Sequence, residues 1–315
     1  MYTDDEDQRS VWLEEAHDLD PDNLDIYCAW ALDQFEDFEV IPMIQAKADA
    51  YFKAHRQDIK ESGYSFVTNR PYFRAQNILL DCYTRGLFME EAEKIAKHIL
   101  RYNPNDNMGV RYKLMALYVN SFQHKKVRNF FKRYPSDDQM LVYLATSLIL
   151  ERDFNLAKHR IKELYQLNPT IVDFFADEGF NEYKVYLLLP EESYRPNSKQ
   201  TLAMAFREMF PLYLPSRLLY LHFREILKEI DSDYFADIEA RKEKNRYADR
   251  NAEKLAGTGI FTNISSQYVR LLLAEGLETL EDFKEKMEVE VYLIDGIGKV
   301  TIDRLKANGV RFKED

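Results

Sequence analysis

The chain has 315 residues, of which 46% are hydrophobic and 31% charged, a composition that suits a soluble globular protein and excludes wholesale disorder. Its formal net charge of −11 excludes a uniformly basic nucleic-acid-binding protein but leaves room for a local basic patch. No apolar run approaches the roughly 20 residues that cross a bilayer, and residues 1–7 are acidic, unlike a signal peptide. We therefore expect a cytoplasmic protein without a membrane segment. The low glycine and proline contents, ten residues each, favour helices.

The cysteines, histidines, glycines and paired acids of the chain do not form a recognisable catalytic, metal-binding or phosphate-binding motif. Cys28 and Cys82 lack motif spacing and are expected to be buried free thiols in a reducing compartment. The six histidines show no paired metal spacing, and Gly257-Thr258-Gly259 is too short for a phosphate loop. Paired acids such as Glu90-Glu91 and Glu191-Glu192 are expected at helix starts, where they complement the helix dipole. We therefore predict no metal, no cofactor and no enzymatic activity.

Two stretches of the chain share a small residue followed, twelve positions later, by the proline of an Asn-Pro pair. Ala92 precedes Pro104 at this interval, and Ala157 precedes Pro169. A small residue lets two helices approach closely, and proline cannot extend the helix before it. The two prolines lie 65 positions apart (169 − 104), about twice the 34-residue period of a tetratricopeptide array. The pattern therefore predicts stacked helical hairpins.

The apolar spacing places individual hairpins in chain order. Residues 16–23 are expected to end one second helix, and residues 27–52 to form a long hairpin. Residues 73–106 and 138–171 predict two regular hairpins, the first with its turn at Arg85-Gly86-Leu87. Between these two, residues 111–135 predict a shorter hairpin whose second helix, around residues 127–131, has lost about a turn.

Over residues 8–172 these features resemble the tetratricopeptide repeat (TPR) superfamily. More narrowly, Arg70-Pro71-Tyr72-Phe73-Arg74-Ala75 and the sequence NPNDNMGVRY at 103–112 resemble bacterial TPR proteins of the suppressor-of-tumorigenicity-seven-like family. The resemblance implies an all-α, TPR-like superhelix that serves as a scaffold, since that family has no established enzymatic activity to carry over. Residues 173–230, where the repeat pattern fades, are expected to form a helical cap.

An array of this kind presents the first helix of each hairpin on its inner face, where a protein or peptide partner binds. The residues expected on this face are Arg74, Asn77, Asp81, Arg85, Tyr112, Lys113 and Tyr143. Some TPR domains grip a chain-end carboxylate with lysines, asparagines and an arginine. Here Asp81, Gln139 and Tyr143 occupy several of the matching positions, so we expect a different peptide, or none.

The last part of the chain follows a different pattern. Residues 231–254 are highly charged and are expected to form a connecting helix or linker with a solvated face. Six of the ten glycines lie at or beyond position 257, which predicts a separate domain of short helices over residues 255–315. Helices are expected at 265–275, after the capping box Thr279-Leu280-Glu281-Asp282, at 289–294 and from Lys299 onward.

The sequence LIDGIGKVTIDRL at 293–305 resembles a helix-hairpin-helix motif, in which a Gly-hydrophobic-Gly turn joins two short helices. The glycines leave backbone N–H groups open to a phosphate, and the helix that follows adds its dipole. Residues 260–312 as a whole are similar to the carboxy-terminal domain of the bacterial RNA polymerase α subunit, a small SAM-like helical fold that binds DNA and activators. The resemblance implies DNA contacts at Arg270, Gly296, Ile297, Gly298, Lys299, Thr301 and Arg304. Of the three first-helix positions that contact DNA in that family, here Gln267, Arg270 and Leu273, only one is basic.

Two hypotheses of different classes follow. The first is a non-enzymatic adaptor that holds a protein or peptide on the repeat surface. The second is a nucleic-acid-associated regulator whose last domain touches duplex DNA or the transcription machinery. Residues 293–313 carry five basic and two acidic residues, a net charge of +3 (5 − 2), so any DNA binding is expected to be weak and salt-sensitive.

Overall fold

The computed structural model describes residues 6–134, 137–190 and 193–313. Within these ranges the regular secondary structure is helical, apart from one isolated bridge between Met287 and Lys313, so the all-α prediction is confirmed. The acidic start at residues 1–5, Pro135 of the short hairpin and the pair Glu191-Glu192 lie outside the described residues. The chain divides into two compact units, Met1–Leu227 and Lys228–Asp315.

The first unit is built from helices joined mostly by short turns. They are α1 (Glu6–Leu19), α2 (Leu24–Gln34), α3 (Asp37–Ala54), α4 (Arg56–Ser62), α5 (Arg70–Arg85), α6 (Met89–Tyr102), α7 (Val110–Asn120), α8 (His124–Phe131), α9 (Asp138–Leu150), α10 (Phe154–Leu167), α11 (Glu182–Leu187), α12 (Lys199–Glu208), α13 (Phe210–Tyr213) and α14 (Arg217–Ile230), the last of which spans the boundary between the units. Three-residue 3₁₀ turns at Gly63–Ser65 and Val67–Asn69 precede α5, and a longer one at Pro169–Phe175 follows α10.

The hairpins α5–α6, α7–α8 and α9–α10 share one turn geometry. Each turn contains a left-handed residue, namely Leu87, Phe122 and Arg152, with φ of 62°, 55° and 63°. The next N–H group then donates to the carbonyl five residues earlier, from Phe88 to Tyr83, from Gln123 to Tyr118 and from Asp153 to Leu148. This is the Schellman pattern, which satisfies the last carbonyls of a helix. The second helix α8 has 8 residues where α6 and α10 each have 14, which confirms the predicted shortening.

The two Asn-Pro pairs end α6 and α10 in the same way. Asn103 and Asn168 are each only 1% exposed, and their backbone N–H groups close the preceding helices. The Asn103 Oδ1 atom accepts a hydrogen bond from the Asn107 side chain at 3.1 Å, and the Asn168 Oδ1 atom accepts one from the Thr170 hydroxyl at 2.7 Å. The sequence pattern therefore has a local cause, because proline stops the helix and the asparagine side chain bonds within the turn.

Helix α9 is enclosed on all sides. Each of its residues from Asp138 to Ile149 is buried, because α7, α8, α10 and α12 all pack against it. The segment expected to cap the repeats thus includes α12, which lies on α9 and also contacts α7. A surface of first helices is consequently covered in this region by a later part of the same chain.

The second unit contains α15 (Ser232–Leu255), α16 (Ser266–Ala274), α17 (Leu280–Lys284), α18 (Glu288–Tyr292) and α19 (Lys299–Ala307). The charged segment expected as a connecting helix or linker is the helix α15, and its Ala248 and Ala252 are buried in the core of this unit against α16. The predicted capping box at Thr279 and Asp282 is present. Across the described part of both units, no helix is both long enough and apolar enough to span a membrane.

Candidate functional site

Arg74 and Arg85, two of the residues predicted to face a partner, both form ion pairs within the chain. Arg74 donates from Nε and Nη2 to the two carboxylate oxygens of Asp25 on α2, at 2.7 and 2.5 Å. Arg85 forms the same bidentate pair with Asp37, the first residue of α3, donating from Nε and Nη2 at 2.9 and 2.7 Å. The hydrogen bonds from Arg85 lower the pKa of Asp37. Both arginines therefore fasten α5 to the preceding hairpin, and about half of each side chain remains exposed.

Asn77, Asp81 and Lys113 are the predicted residues that the structure brings together. The Lys113 Nζ atom on α7 donates to Asn77 Oδ1 at 3.1 Å and to the two oxygens of Asp81 at 2.6 and 2.8 Å. Asn77 and Asp81 lie one turn apart on α5, so the lysine bridges two first helices. The side chains of Lys113 and Asp81 are 26% and 40% exposed, so solvent or a ligand can reach the pair.

Glu208, at the end of α12, is a member of this site that the sequence did not indicate. It is half-buried, and burial is the largest cause of its raised pKa; Lys113 lowers that pKa and Asp81 raises it. Its carboxylate accepts no hydrogen bond within the described ranges, whereas its backbone carbonyl accepts one from Asn120 Nδ2 at 2.9 Å. We call Asn77, Asp81, Lys113 and Glu208 the Lys113 cluster. Glu208 is 95 positions from Lys113 (208 − 113), and no local pattern links them.

Tyr143 and Tyr112 are not free to meet a partner in the way the sequence predicted. Tyr143 is completely buried, because α12 covers α9, so its assignment to the exposed surface is corrected. Its hydroxyl has no hydrogen-bond partner among the described residues, and burial followed by the charge of Glu208 raises its pKa. The Tyr112 hydroxyl donates to Asp137 at 2.7 Å, just before α9, and so holds two neighbouring first helices together.

The Gly296-Ile297-Gly298 turn of the second unit leads into α19. Gly296 is left-handed, with φ of 89°, and Ile297 is buried in the core. Gly298 begins α19 without a side-chain cap, and the space where its Cβ would lie is open. Lys299 is exposed beside it, whereas Thr301 is buried. Only part of the predicted contact set is therefore accessible at this turn.

The basic residues near that turn differ in their partners. Arg270 pairs with Asp249 at 2.5 Å, and Arg304 donates to the carbonyl of Asn263 at 2.8 Å. Lys306, which pairs with Glu288 at 2.5 Å, lies with Arg311 and Lys313 around a cavity of about 760 Å³. Lys299 is thus the predicted cation that stands exposed at the turn without an ion pair among the described residues.

The two cysteine thiols are not activated as nucleophiles. Cys28 and Cys82 are buried free thiols, as predicted, and burial raises their pKa to about 12 and about 11. A thiol becomes nucleophilic when its pKa falls, so neither is activated. Within the described ranges, no three His, Cys, Asp or Glu side chains converge in a way that could hold a metal ion.

Comparison with protein-family models, with curated proteins and with solved structures gives no match to this chain.

Proposed function

We propose that α2–α10 form a TPR-like array and that the chain is a non-enzymatic adaptor that holds a protein or peptide at the Lys113 cluster. The shared turn of three successive hairpins and the repeated Asn-Pro ends support the array. The helices α16–α19 are in turn proposed as a helix-hairpin-helix domain, on the strength of the Gly296 and Gly298 backbone.

The contact of Lys113 on α7 with Asn77 and Asp81 on α5, near enough to Glu208 on α12 to affect its pKa, is the observation that carries the proposal. The two carboxylates and one ammonium of the cluster are partly exposed, and Glu208 has no donor of its own. A peptide backbone offers N–H donors to the carboxylates and carbonyl acceptors to Lys113, and a basic side chain would complement the second carboxylate. The site therefore suits an extended segment with a basic residue better than a chain-end carboxylate.

Residues around the cluster that already have partners within the chain reduce the surface that a partner protein could contact. Arg74 and Arg85 are committed to Asp25 and Asp37, and α12 covers α9. The surface open to a partner is therefore the part formed by α5 and α7, bordered by Glu208. The earlier prediction of a longer inner face, reaching Tyr143, is replaced by this shorter one.

Affinity purification of the full chain, followed by quantitative mass spectrometry, tests the adaptor proposal. We expect a partner that co-purifies with the wild type and is depleted at least about tenfold by Lys113→Glu, because two carboxylates then lose their cation. Lys162→Glu, an exposed lysine of α10, is the matched control for the change in charge and should retain the partner. An identical set of co-purifying proteins in all three samples would contradict the proposal.

Duplex DNA binding by the second unit is the alternative, favoured by the open Gly298 backbone next to exposed Lys299. We expect weak binding of a DNA duplex to the full chain at about 50 mM salt, which weakens steeply as salt rises. Lys299→Glu should weaken it, while Lys254→Glu, an exposed lysine of α15, should have less effect. No binding at low salt, or equal effects of the two substitutions, would exclude the alternative.

A further inference from the structure

A second segment, separate from the Lys113 cluster, is rich in basic residues. Residues 124–134, which include α8, contain five Lys and Arg residues and no Asp or Glu, in a chain whose net charge is −11. Like charges so close together destabilise a helix, and they are usually spread out on a solvated face. Lys126 pairs with Glu93 and Arg128 pairs with Glu151, whereas Lys125, Lys132 and Arg133 form no ion pair among the described residues and could receive an anion.

The basic segment borders a cavity of about 440 Å³ between α6, α7 and α8. Lys97 and Arg101 of α6 and Arg133 after α8 contribute the cations, and Leu100, Leu114 and Phe130 contribute an apolar floor. Phe130 and Arg133 lie on either side of Phe131, where α8 ends six residues short of the length of α6 (14 − 8). The cavity thus lies beside α8, which is shorter than α6 and α10.

The two arginines are presented without a carboxylate partner. The Arg101 guanidinium lies over the Tyr102 ring at 5.4 Å, and that of Arg133 lies over the Tyr134 ring at 5.6 Å. Neither makes an ion pair in the described part of the chain, whereas Lys97 pairs with Glu93 at 2.5 Å. Stacking on a ring holds the planar guanidinium in place, so less freedom is lost when it binds a carboxylate with two hydrogen bonds.

The floor discriminates between classes of ligand. Tyr118 and Phe130 pack edge to face with centroids 5.8 Å apart, and Lys126 lies over the Tyr118 ring. Tyr118 and Phe130 are 3% and 9% exposed, and Leu100 and Leu114 are 4% and 1% exposed, so the apolar floor is narrow and offers no open ring face on which a nucleotide base could stack. Its small exposed area suits contact with one aliphatic side chain, and acidic residues beside that side chain would pair with the arginines at the rim.

We propose that this cavity binds an acidic linear segment of a partner protein. An aliphatic side chain of the segment enters between Leu100, Leu114 and Phe130, and the carboxylates beside it pair with Arg101 and Arg133. The site is separate from the Lys113 cluster, so one adaptor would bind an acidic segment at the cavity and a segment with a basic residue at the cluster.

Fluorescence anisotropy of the full chain with labelled polyglutamate peptides tests the proposal. One peptide carries a central leucine, and the other carries serine at that position. We expect the leucine peptide to bind about tenfold more tightly, because it buries one aliphatic side chain. The double variant Arg101→Glu with Arg133→Glu should weaken its binding at least about tenfold, and Lys162→Glu should leave it within about twofold.

Three outcomes would overturn the proposal. Equal affinity for the leucine and serine peptides would mean that the acidic peptides are attracted by charge alone and that the leucine does not contact the apolar floor. Tighter binding of an oligouridine RNA, lost in the double variant, would assign the cavity to nucleic acid. A dimer in sedimentation velocity that the double variant dissociates would assign it to a second copy of the chain. Arg101→Gln with Arg133→Gln repeats the test if the charge reversal disturbs folding, which circular dichroism reports.

Discussion

The Asp138 carboxylate accepts a hydrogen bond from Asn168 Nδ2 at 2.7 Å, which joins the first turn of α9 to the Asn-Pro turn that ends α10. The same Nδ2 group donates to the Ser198 carbonyl at 3.0 Å, and the Thr201 hydroxyl donates to Asp138. Burial raises the pKa of Asp138 even though these bonds lower it. Asn168 thus connects a repeat hairpin to the start of α12, and the Asn-Pro motif has a long-range role besides its local one.

Substitution of this asparagine should be costly. We expect Asn168→Ala to lower the free energy of unfolding by about 2–3 kcal/mol, because a buried carboxylate and a carbonyl lose their donor. Asn103→Ala removes the corresponding residue of the other Asn-Pro turn, whose Nδ2 has no partner among the described residues, and should cost about 1 kcal/mol. Urea denaturation of both variants measures the difference, and equal losses would show that the contact with Asp138 contributes nothing.

Gly63 is constrained by a close approach that the sequence does not reveal. A Cβ at this position would lie 2.0 Å from the backbone carbonyl oxygen of Tyr102, and its φ is 53°. We therefore expect Gly63→Ala to destabilise the first unit by more than about 3 kcal/mol. Gly179→Ala is the control, since no atom lies within 4 Å of its added Cβ. Thermal unfolding should show a large loss at position 63 and little change at position 179; similar melting temperatures would refute the packing at Gly63.

The raised pKa of Glu208 predicts a definite pH dependence. Its proton binds more tightly in the folded protein than in the unfolded chain, where the ordinary value is 4.5. The stability that the proton contributes is therefore fully present below that value and is lost as pH rises through the raised pKa. Glu208→Gln should lose less stability than the wild type between about pH 4.5 and pH 7. Glu39→Gln, at an exposed site of α3, is the matched control. The free energy of unfolding of each variant is measured at both pH values, and we expect its change with pH to be the same in Glu39→Gln as in the wild type.

The hairpins could be predicted because their cues are local. Apolar spacing, the turn at Leu87 and the prolines after Asn103 and Asn168 act within a few residues of where they stand, so α5, α6, α9 and α10 fall close to their expected positions. The helix α4 and the 3₁₀ turns before α5 were not predicted. They depend on tertiary contacts such as the packing of Gly63 against the Tyr102 carbonyl and of α4 against α6.

The candidate site could be predicted only in part, for the same reason. Spacing on α5 and α7 brought Asn77, Asp81 and Lys113 onto one surface, where the structure places them in contact. The aspartates that engage Arg74 and Arg85 lie 49 and 48 positions upstream (74 − 25, 85 − 37), beyond the reach of any periodicity argument. The burial of Tyr143 and the arrival of Glu208 both depend on where α12 packs, and the weak repeat pattern of that region contained no sign of it.

Site-specific photo-crosslinking in cells tests most directly whether the Lys113 cluster holds a partner. A benzophenone amino acid replaces Asn77 in the full chain, and a second protein carries it at Lys162 as a control. We predict a discrete covalent adduct from position 77 that is absent from position 162 and is lost when Lys113→Glu is added, because the partner then no longer binds beside α5. The same adducts from both positions, or an adduct from position 77 that persists with Lys113→Glu, would contradict the assignment of this surface to a partner.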